Sequence, residues 1–263
     1  MKLLENKIAL VTGGSQGIGK SIAEKLGAAG ATLAIAALEN EALHKASENY
    51  KALGFRFRSY GIDLSIDAQI DSLARNVTKD LGPVDILVNN AGIGGPTAPA
   101  HQINPADWDK TLQINLRTPF LLSRALIPAM IERKSGKIIN MSSIAGKMAY
   151  PLRTPYAASK WGLVGLTLTL AQELGPFNIQ VNAICPGPTR TELIESVIRA
   201  RAAATGTDFE TMSKEYVRAT ALKRMILPEE VADLTLFLAS SQSDAITGQA
   251  IDISAGYGFR IGD

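Results

Sequence analysis

Apolar runs closed by glycine, asparagine or aspartate alternate along this chain with longer stretches in which apolar positions recur every third or fourth residue. Runs such as Ile8-Ala9-Leu10-Val11 lack the in-out alternation of a strand with one wet face. They read as strands buried on both sides, and the stretches between them as helices that cover the sheet. Strands are predicted at residues 8–12, 32–37, 55–61, 86–89, 137–141, 179–184 and 250–253, and helices at 17–29, 41–53, 67–81, 105–131, 155–174 and 228–240. This rhythm predicts an α/β fold, a doubly wound seven-stranded parallel sheet with helices on both faces. One stretch breaks it: residues 189–227 are too many for a crossover loop and carry two helical patterns, at 192–204 and 208–219. A small helical lid is expected there.

The first strand runs into Thr12-Gly13-Gly14-Ser15-Gln16-Gly17-Ile18-Gly19 and then a helix. Glycines at such a junction let the backbone turn sharply and approach a pyrophosphate, which the helix amino terminus favours. The spacing, Gly-x-x-x-Gly-x-Gly, differs from the commonest dinucleotide fingerprint. Downstream, Tyr156 and Lys160 stand four residues apart, one turn of a helix, so an ammonium can approach the phenol and favour its ionised form. An ordinary tyrosine titrates near pH ~10, and a useful base near neutrality needs a shift of roughly three units, about 4 kcal/mol. Thr154 and Pro155 read as N-cap and first helical residue, which places Tyr156 in the positive first turn.

Composition narrows the field. The 263 residues contain no repeat or linker, and with 46% hydrophobic content they suit one domain spanning 1–263. Twenty-seven basic and 25 acidic residues, net +2, form no basic stripe, so nucleic acid is not an expected partner. No apolar run reaches membrane-spanning length, and none near the amino terminus resembles a secretory core. The lone Cys185 excludes a disulfide framework and is expected to be a buried bystander. Two histidines, His44 and His101, form no ligand cluster, so no metal site is expected. A cytoplasmic location is the expectation.

Four motifs in order carry a resemblance along the whole chain: the glycine turn, Asn89-Asn90-Ala91-Gly92, a serine thirteen residues before Tyr156, and Pro186-Gly187. In these the chain resembles the short-chain dehydrogenase/reductase family of about 250-residue enzymes. The resemblance implies a Rossmann-like dinucleotide-binding catalytic domain and an NAD(P)-dependent oxidoreductase. Gly13, Ser15, Gln16, Gly17, Ile18 and Gly19 would then hold the pyrophosphate end, Asp63 and Leu64 the adenine, and Asn90, Ala91 and Gly92 the ribose border. Pro186, Gly187, Thr189 and Thr191 would hold the nicotinamide carboxamide. Ser143 would donate to the substrate oxygen, Tyr156 transfer the proton, Lys160 bind the nicotinamide ribose and lower the phenol's pKa, and Asn115 distort the long helix and hold a water on the proton path.

The chain departs from the family pattern where NAD and NADP are told apart. The second strand ends on Ala37 where NAD-preferring relatives carry an aspartate, and Leu38 and Gln16 replace the basic residues of NADP-preferring ones. Losing the carboxylate removes a bond to NAD and a repulsion against the 2′-phosphate, while Glu39 restores some negative charge, so the expectation tilts slightly to NADP. Arg153, three residues before Tyr156, could reach a substrate carboxylate, sulfonate or phosphate; the competing expectation is an exposed arginine salt-bridged to the lid. Arg199 and Arg201 are expected to be solvated. The leading expectation is hydride transfer between the cofactor and a small secondary alcohol, sugar, polyol or hydroxy acid and its ketone. The alternative is a 3-oxoacyl-[acyl-carrier-protein] reductase, and a third a non-catalytic cofactor sensor, against which the intact Ser143, Tyr156 and Lys160 argue. Small residues Ala157, Ala158, Gly162 and Gly165 on the apolar helix 155–174 permit close approach of another helix, and a homotetramer is expected as in the family.

Overall fold

A computed structural model of the chain describes residues 2–258, so the ends of the expected 1–263 unit lie outside the described residues. Strands β1 (Ile8–Thr12), β2 (Thr32–Ala37), β3 (Phe57–Gly61), β4 (Ile86–Asn89), β5 (Gly136–Met141), β6 (Ile179–Pro186) and β7 (Ala250–Ile253) form one sheet in the order β3-β2-β1-β4-β5-β6-β7. Every pairing is parallel. The helices are α1 (Gly17–Ala28), α2 (Glu41–Ala52), α3 (Asp67–Leu81), α4 (Pro105–Leu112), α5 (Thr118–Arg133), α6 (Thr154–Leu174), α7 (Glu192–Thr205), α8 (Phe209–Arg218) and α9 (Pro228–Ala239).

Period-two alternation within the buried strands divides the core. Ala9 and Val11 of β1, with Leu33 and Ile35 of β2, meet Ile22 and Leu26 of α1 and Val231 of α9 on one face. Leu10, Ala34 and Ala36 meet Ile70 of α3, Leu122 of α5 and Leu170 of α6 on the other. Both faces of the sheet are therefore dry, which explains the unbroken apolar runs in the sequence. Strand order reverses direction between β1 and β4, and the crevice above their carboxyl ends is the place where such sheets bind ligands.

Three departures from the predicted elements lie near the site or reshape an element. β3 starts at Phe57 because Phe55 donates its amide to Tyr50 O at 3.1 Å and stacks on the Tyr50 ring at 6.4 Å, making it part of the exit from α2. The helix expected over 105–131 is interrupted by a π-helical turn, Gln113–Arg117, between α4 and α5. Its cause is Asn115, which turns inward and is wholly buried. At the third, Arg153 rather than Thr154 is the N-cap of α6, with no side-chain capping bond; Tyr156 still lies in the first turn.

Between β6 and α9, helices α7 and α8 enclose a small core of their own, Ile198, Ala202, Met212 and Tyr216. Thr191 caps α7 by accepting from Ile194 N at 3.3 Å, and Asp208 caps α8 by accepting from Thr211 N at 2.8 Å. Among the described residues no helix is long and apolar enough to cross a membrane.

Candidate active site

A cavity of about 650 Å³ opens over the β1/β4 crevice, within the usual range for small-ligand sites. At one end it is walled by Gly13, Ser15, Gln16, Gly17, Ile18 and Gly19, and at the other by Ser143, Arg153, Tyr156 and Lys160. Asp63, Leu64, Asn90, Ala91, Gly92, Pro186, Gly187, Thr189 and Thr191 line the space between.

The glycine turn is shaped by close approach. Gly13 and Gly17 sit at φ 66° and 52°, and a Cβ on Gly19 would overlap the Gly13 carbonyl. Thr12 and Asn90 lock this turn to β4: Thr12 Oγ1 accepts from the amides of Asn90 and Ala91, both at 3.0 Å, and Asn90 Nδ2 donates to Thr12 O at 2.9 Å. Below it, Asn89 donates to Asn140 at 2.8 Å and Asn140 to Thr167 at 2.9 Å, a buried relay from β4 to α6. The amino terminus of α1 has no side-chain cap and no acidic residue in its first turn. Its amides remain free for an anion, and the cradle a Cβ would fill fits a pyrophosphate.

Asp63 accepts from the Ser65 amide at 2.9 Å and hydroxyl at 2.7 Å, bonds that hold its carboxyl below the usual range. Ala37 and Leu38 line the cavity, as expected, with Asn40 and Ile62. Glu39 does not: its carboxylate folds over Gly61 and pairs with His44 Nε2 at 2.7 Å. The negative charge expected near the ribose is directed away from it.

At the other end, Asn115 Oδ1 accepts from Ile93 N at 2.8 Å, while its Nδ2 donates to Ile93 O at 2.9 Å and Ser159 Oγ at 3.1 Å. The π-turn that carries Asn115 thus clamps the irregular segment following β4 against α6. Lys160, buried, donates to Met141 O at 2.8 Å and stands 5.6 Å from the centre of the Tyr156 ring. Burial pulls its ammonium down to about 8. Burial also raises the Tyr156 phenol above its ordinary value, opposed by its hydrogen-bonding neighbour Ser143 and by the charge of Arg153.

Arg153 is neither exposed nor salt-bridged to the lid. It is 3% exposed, lies 5.2 Å from the Tyr156 ring centre, and donates from Nη2 to Gly94 O at 2.6 Å. Among the described residues its Nε has no partner and no carboxylate pairs with it. Burying a guanidinium costs several kcal/mol, of which a cation–π contact and one charged hydrogen bond return about 1–2 kcal/mol and about 2 kcal/mol. Arg199 is exposed but held, 3.8 Å from Glu195 and 4.5 Å above Phe209. Arg201 is half-buried rather than solvated, 5.9 Å from both the Tyr150 and Tyr216 rings.

Sequence reasoning missed Tyr150, Ile93, Gly94, Ile114, Leu193 and Val197, all of which line the cavity. No motif marks them. For the last two, the apolar face of α7 was the available signal. Cys185 is buried in β6, its thiol pushed up to about 11 by burial.

The family model for short chain dehydrogenase matches residues 7–202. The chain is 36% identical to the 3-oxoacyl-[acyl-carrier-protein] reductase of Thermotoga maritima, covering 96% of this chain and 98% of that protein. Its fold superposes on NAD+-bound xylitol dehydrogenase with a TM-score of 0.93 at 30% identity, over 96% of this chain and 99% of that one. It superposes equally on an actinorhodin polyketide ketoreductase with NADPH, TM-score 0.93 at 31% identity, over 99% and 100%.

Proposed function

Because the chain belongs to the short-chain dehydrogenase family of NAD(P)-dependent oxidoreductases, we propose that it interconverts a small secondary alcohol and its ketone, with Ser143, Tyr156 and Lys160 as the reacting constellation. The observation that carries this reading is the meeting of those three residues at one end of a cavity whose other end is an anion cradle. A nicotinamide dinucleotide bound along the cavity supplies the hydride acceptor or donor. The chain does the rest: the Ser143 hydroxyl donates to the substrate oxygen, and Tyr156 takes the alcohol's proton as phenolate or returns it to the ketone oxygen as phenol. Lys160 holds positive charge beside the phenol and reaches toward the ribose, and Asn115 fixes the floor between them. The segment 189–227 serves as the lid.

Replacing Tyr156 by Phe removes the proton donor and leaves the cradle untouched. Turnover should fall by roughly 10²–10⁴-fold, with cofactor affinity by calorimetry near wild type. Retained turnover would remove Tyr156 from the reaction. For the cofactor, an alanine at position 37 and a Glu39 carboxylate turned onto His44 put no carboxylate at the end of β2 against a 2′-phosphate, so the reading favours NADP. Calorimetric titration with both dinucleotides tests it, and tighter binding of NAD would reverse it.

The relationship to the Thermotoga maritima enzyme favours a second reading, reduction of a 3-oxoacyl thioester. Assay of acyl thioesters beside alcohols, polyols and hydroxy acids by nicotinamide absorbance separates the two. A homotetramer is part of the proposal. Trp161 and Leu168 on α6 and Phe120 on α5 are 51%, 44% and 43% exposed, and a Cβ on Gly165 would meet nothing. The lid does not cover this face. Gly162, by contrast, is occupied by Leu116 of the same chain. Sedimentation as a monomer would overturn the assembly.

A further inference from the structure

We propose that Arg153 is the docking point for a carboxylate on the substrate, and that the chain therefore acts on short hydroxy acids and their keto-acid counterparts. The inference rests on the oxidoreductase reading above and names its substrate class. Arg153 is buried against the cavity wall, yet among the described residues its guanidinium makes one hydrogen bond, to Gly94 O at 2.6 Å, and Nε is left without an acceptor. Buried donors in folded proteins are almost always paired, and a buried charge needs a partner of opposite sign. The surroundings deepen the imbalance, because Lys160 is a second buried cation beside the same Tyr156 ring. No carboxylate among the described residues pairs with either. A planar fork with free N–H groups matches a carboxylate better than a point charge does.

The position limits the size of the acid. The guanidinium lies over the Tyr156 ring at 5.2 Å, so an anion held by it sits a few bonds from the carbon whose oxygen meets the phenol. A Cβ on Gly94 would lie 2.9 Å from Arg153 Nη2 and 3.7 Å from both Leu193 and Val197. These apolar side chains of α7 therefore close over the same spot. A 2- or 3-hydroxy acid places both groups at once, and its carboxylate supplies the missing counter-ion.

The test is calorimetry on cofactor-loaded Tyr156→Phe protein, which reads binding without turnover. Lactate and 3-hydroxybutyrate are titrated beside lactamide and 3-hydroxybutyramide, with methylphosphonate and methanesulfonate as tetrahedral anions. At least one acid should bind about 30-fold or more tightly than its amide, the gain of a charged over a neutral partner. Adding Arg153→Gln should erase that preference, and Arg153→Lys, which keeps the charge and loses the fork, should restore part of it. Equal affinity for acids and amides overturns the proposal, as does an acid preference that survives Arg153→Gln. Tighter binding of a tetrahedral anion overturns the carboxylate assignment. Turnover of neutral alcohols by the unmodified enzyme without acid preference would sink this inference alone. Acid binding with no turnover of any alcohol or acid would sink the oxidoreductase reading and leave the anion site standing.

Discussion

The two ends of the cavity are both prepared for negative charge, by opposite means. At the glycine turn the lining is uncharged, and the preparation lies in backbone: an uncapped helix terminus and close-packed glycines locked by Thr12 and Asn90. At the Tyr156 end it lies in two buried cations, Lys160 and Arg153. An unpaired backbone amide costs less to bury than a full charge, whereas a buried ammonium or guanidinium costs several kcal/mol until a partner arrives. The cradle should therefore be intolerant of shape changes, and the Tyr156 end of charge changes.

Gly19→Ala gives the largest effect and breaks the cradle by shape alone. The new Cβ would overlap the Gly13 carbonyl and crowd Asn90 Nδ2, so the turn must open. Overpacking of this kind costs about 1–3 kcal/mol of stability. Losing the amide geometry should weaken cofactor binding by roughly 100-fold or more, the equivalent of about 3 kcal/mol. Thermal melts and calorimetry read the two effects separately. An alanine variant that binds cofactor normally would show that the turn adapts, and the contrast between the ends would fail on the cradle side.

The same contrast explains what the sequence disclosed. The strands and the cradle were legible because their determinants are local: apolar runs mark most of the strands, and glycine spacing marks a turn that only glycine can make. Tyr156 and Lys160 were legible because four residues is one turn of a helix. Arg153 and Glu39 were not. Whether an arginine is buried without a partner, or a carboxylate folds onto His44, depends on packing between segments far apart in sequence. The break in the helix at Asn115 was legible only through the family resemblance, since the Ile93 backbone that holds it lies twenty-two residues away.

Lys160 tests the charge-based end through pH. Burial holds its ammonium near 8 in the folded protein against 10.5 for an ordinary lysine. Between those values the unfolded chain binds the proton and the folded one does not, so rising pH favours folding there. Below pH 8 both states are protonated and the full burial cost is present. The cofactor-free protein should gain stability from this group as pH rises from about 8 to about 10, up to about 3 kcal/mol over the whole interval. Above pH ~10 the buried tyrosines act in the opposite sense, because unfolded tyrosine ionises first. Urea melts at several pH values, compared with Lys160→Met, isolate the slope. Equal slopes in the two proteins would mean that Lys160 is not charged against its burial.

The smallest effect is expected where α7 and α8 meet the charged end. Tyr216 on α8 meets Tyr150 oxygen to oxygen at 3.4 Å, and Arg201 on α7 lies 5.9 Å from both rings, so the hydroxyl pair ties the α7–α8 unit to a cavity-lining residue. Tyr216→Phe removes one oxygen and leaves the ring packed against Tyr257, 6.3 Å away. A long neutral hydrogen bond contributes about 0.5–1 kcal/mol, so KM should rise by about two- to fivefold with kcat nearly unchanged. Cofactor affinity should not move, because the glycine turn contributes no residue to this cluster. A matching fall in kcat would instead place the aromatic cluster on the proton path, making the lid part of the charged end.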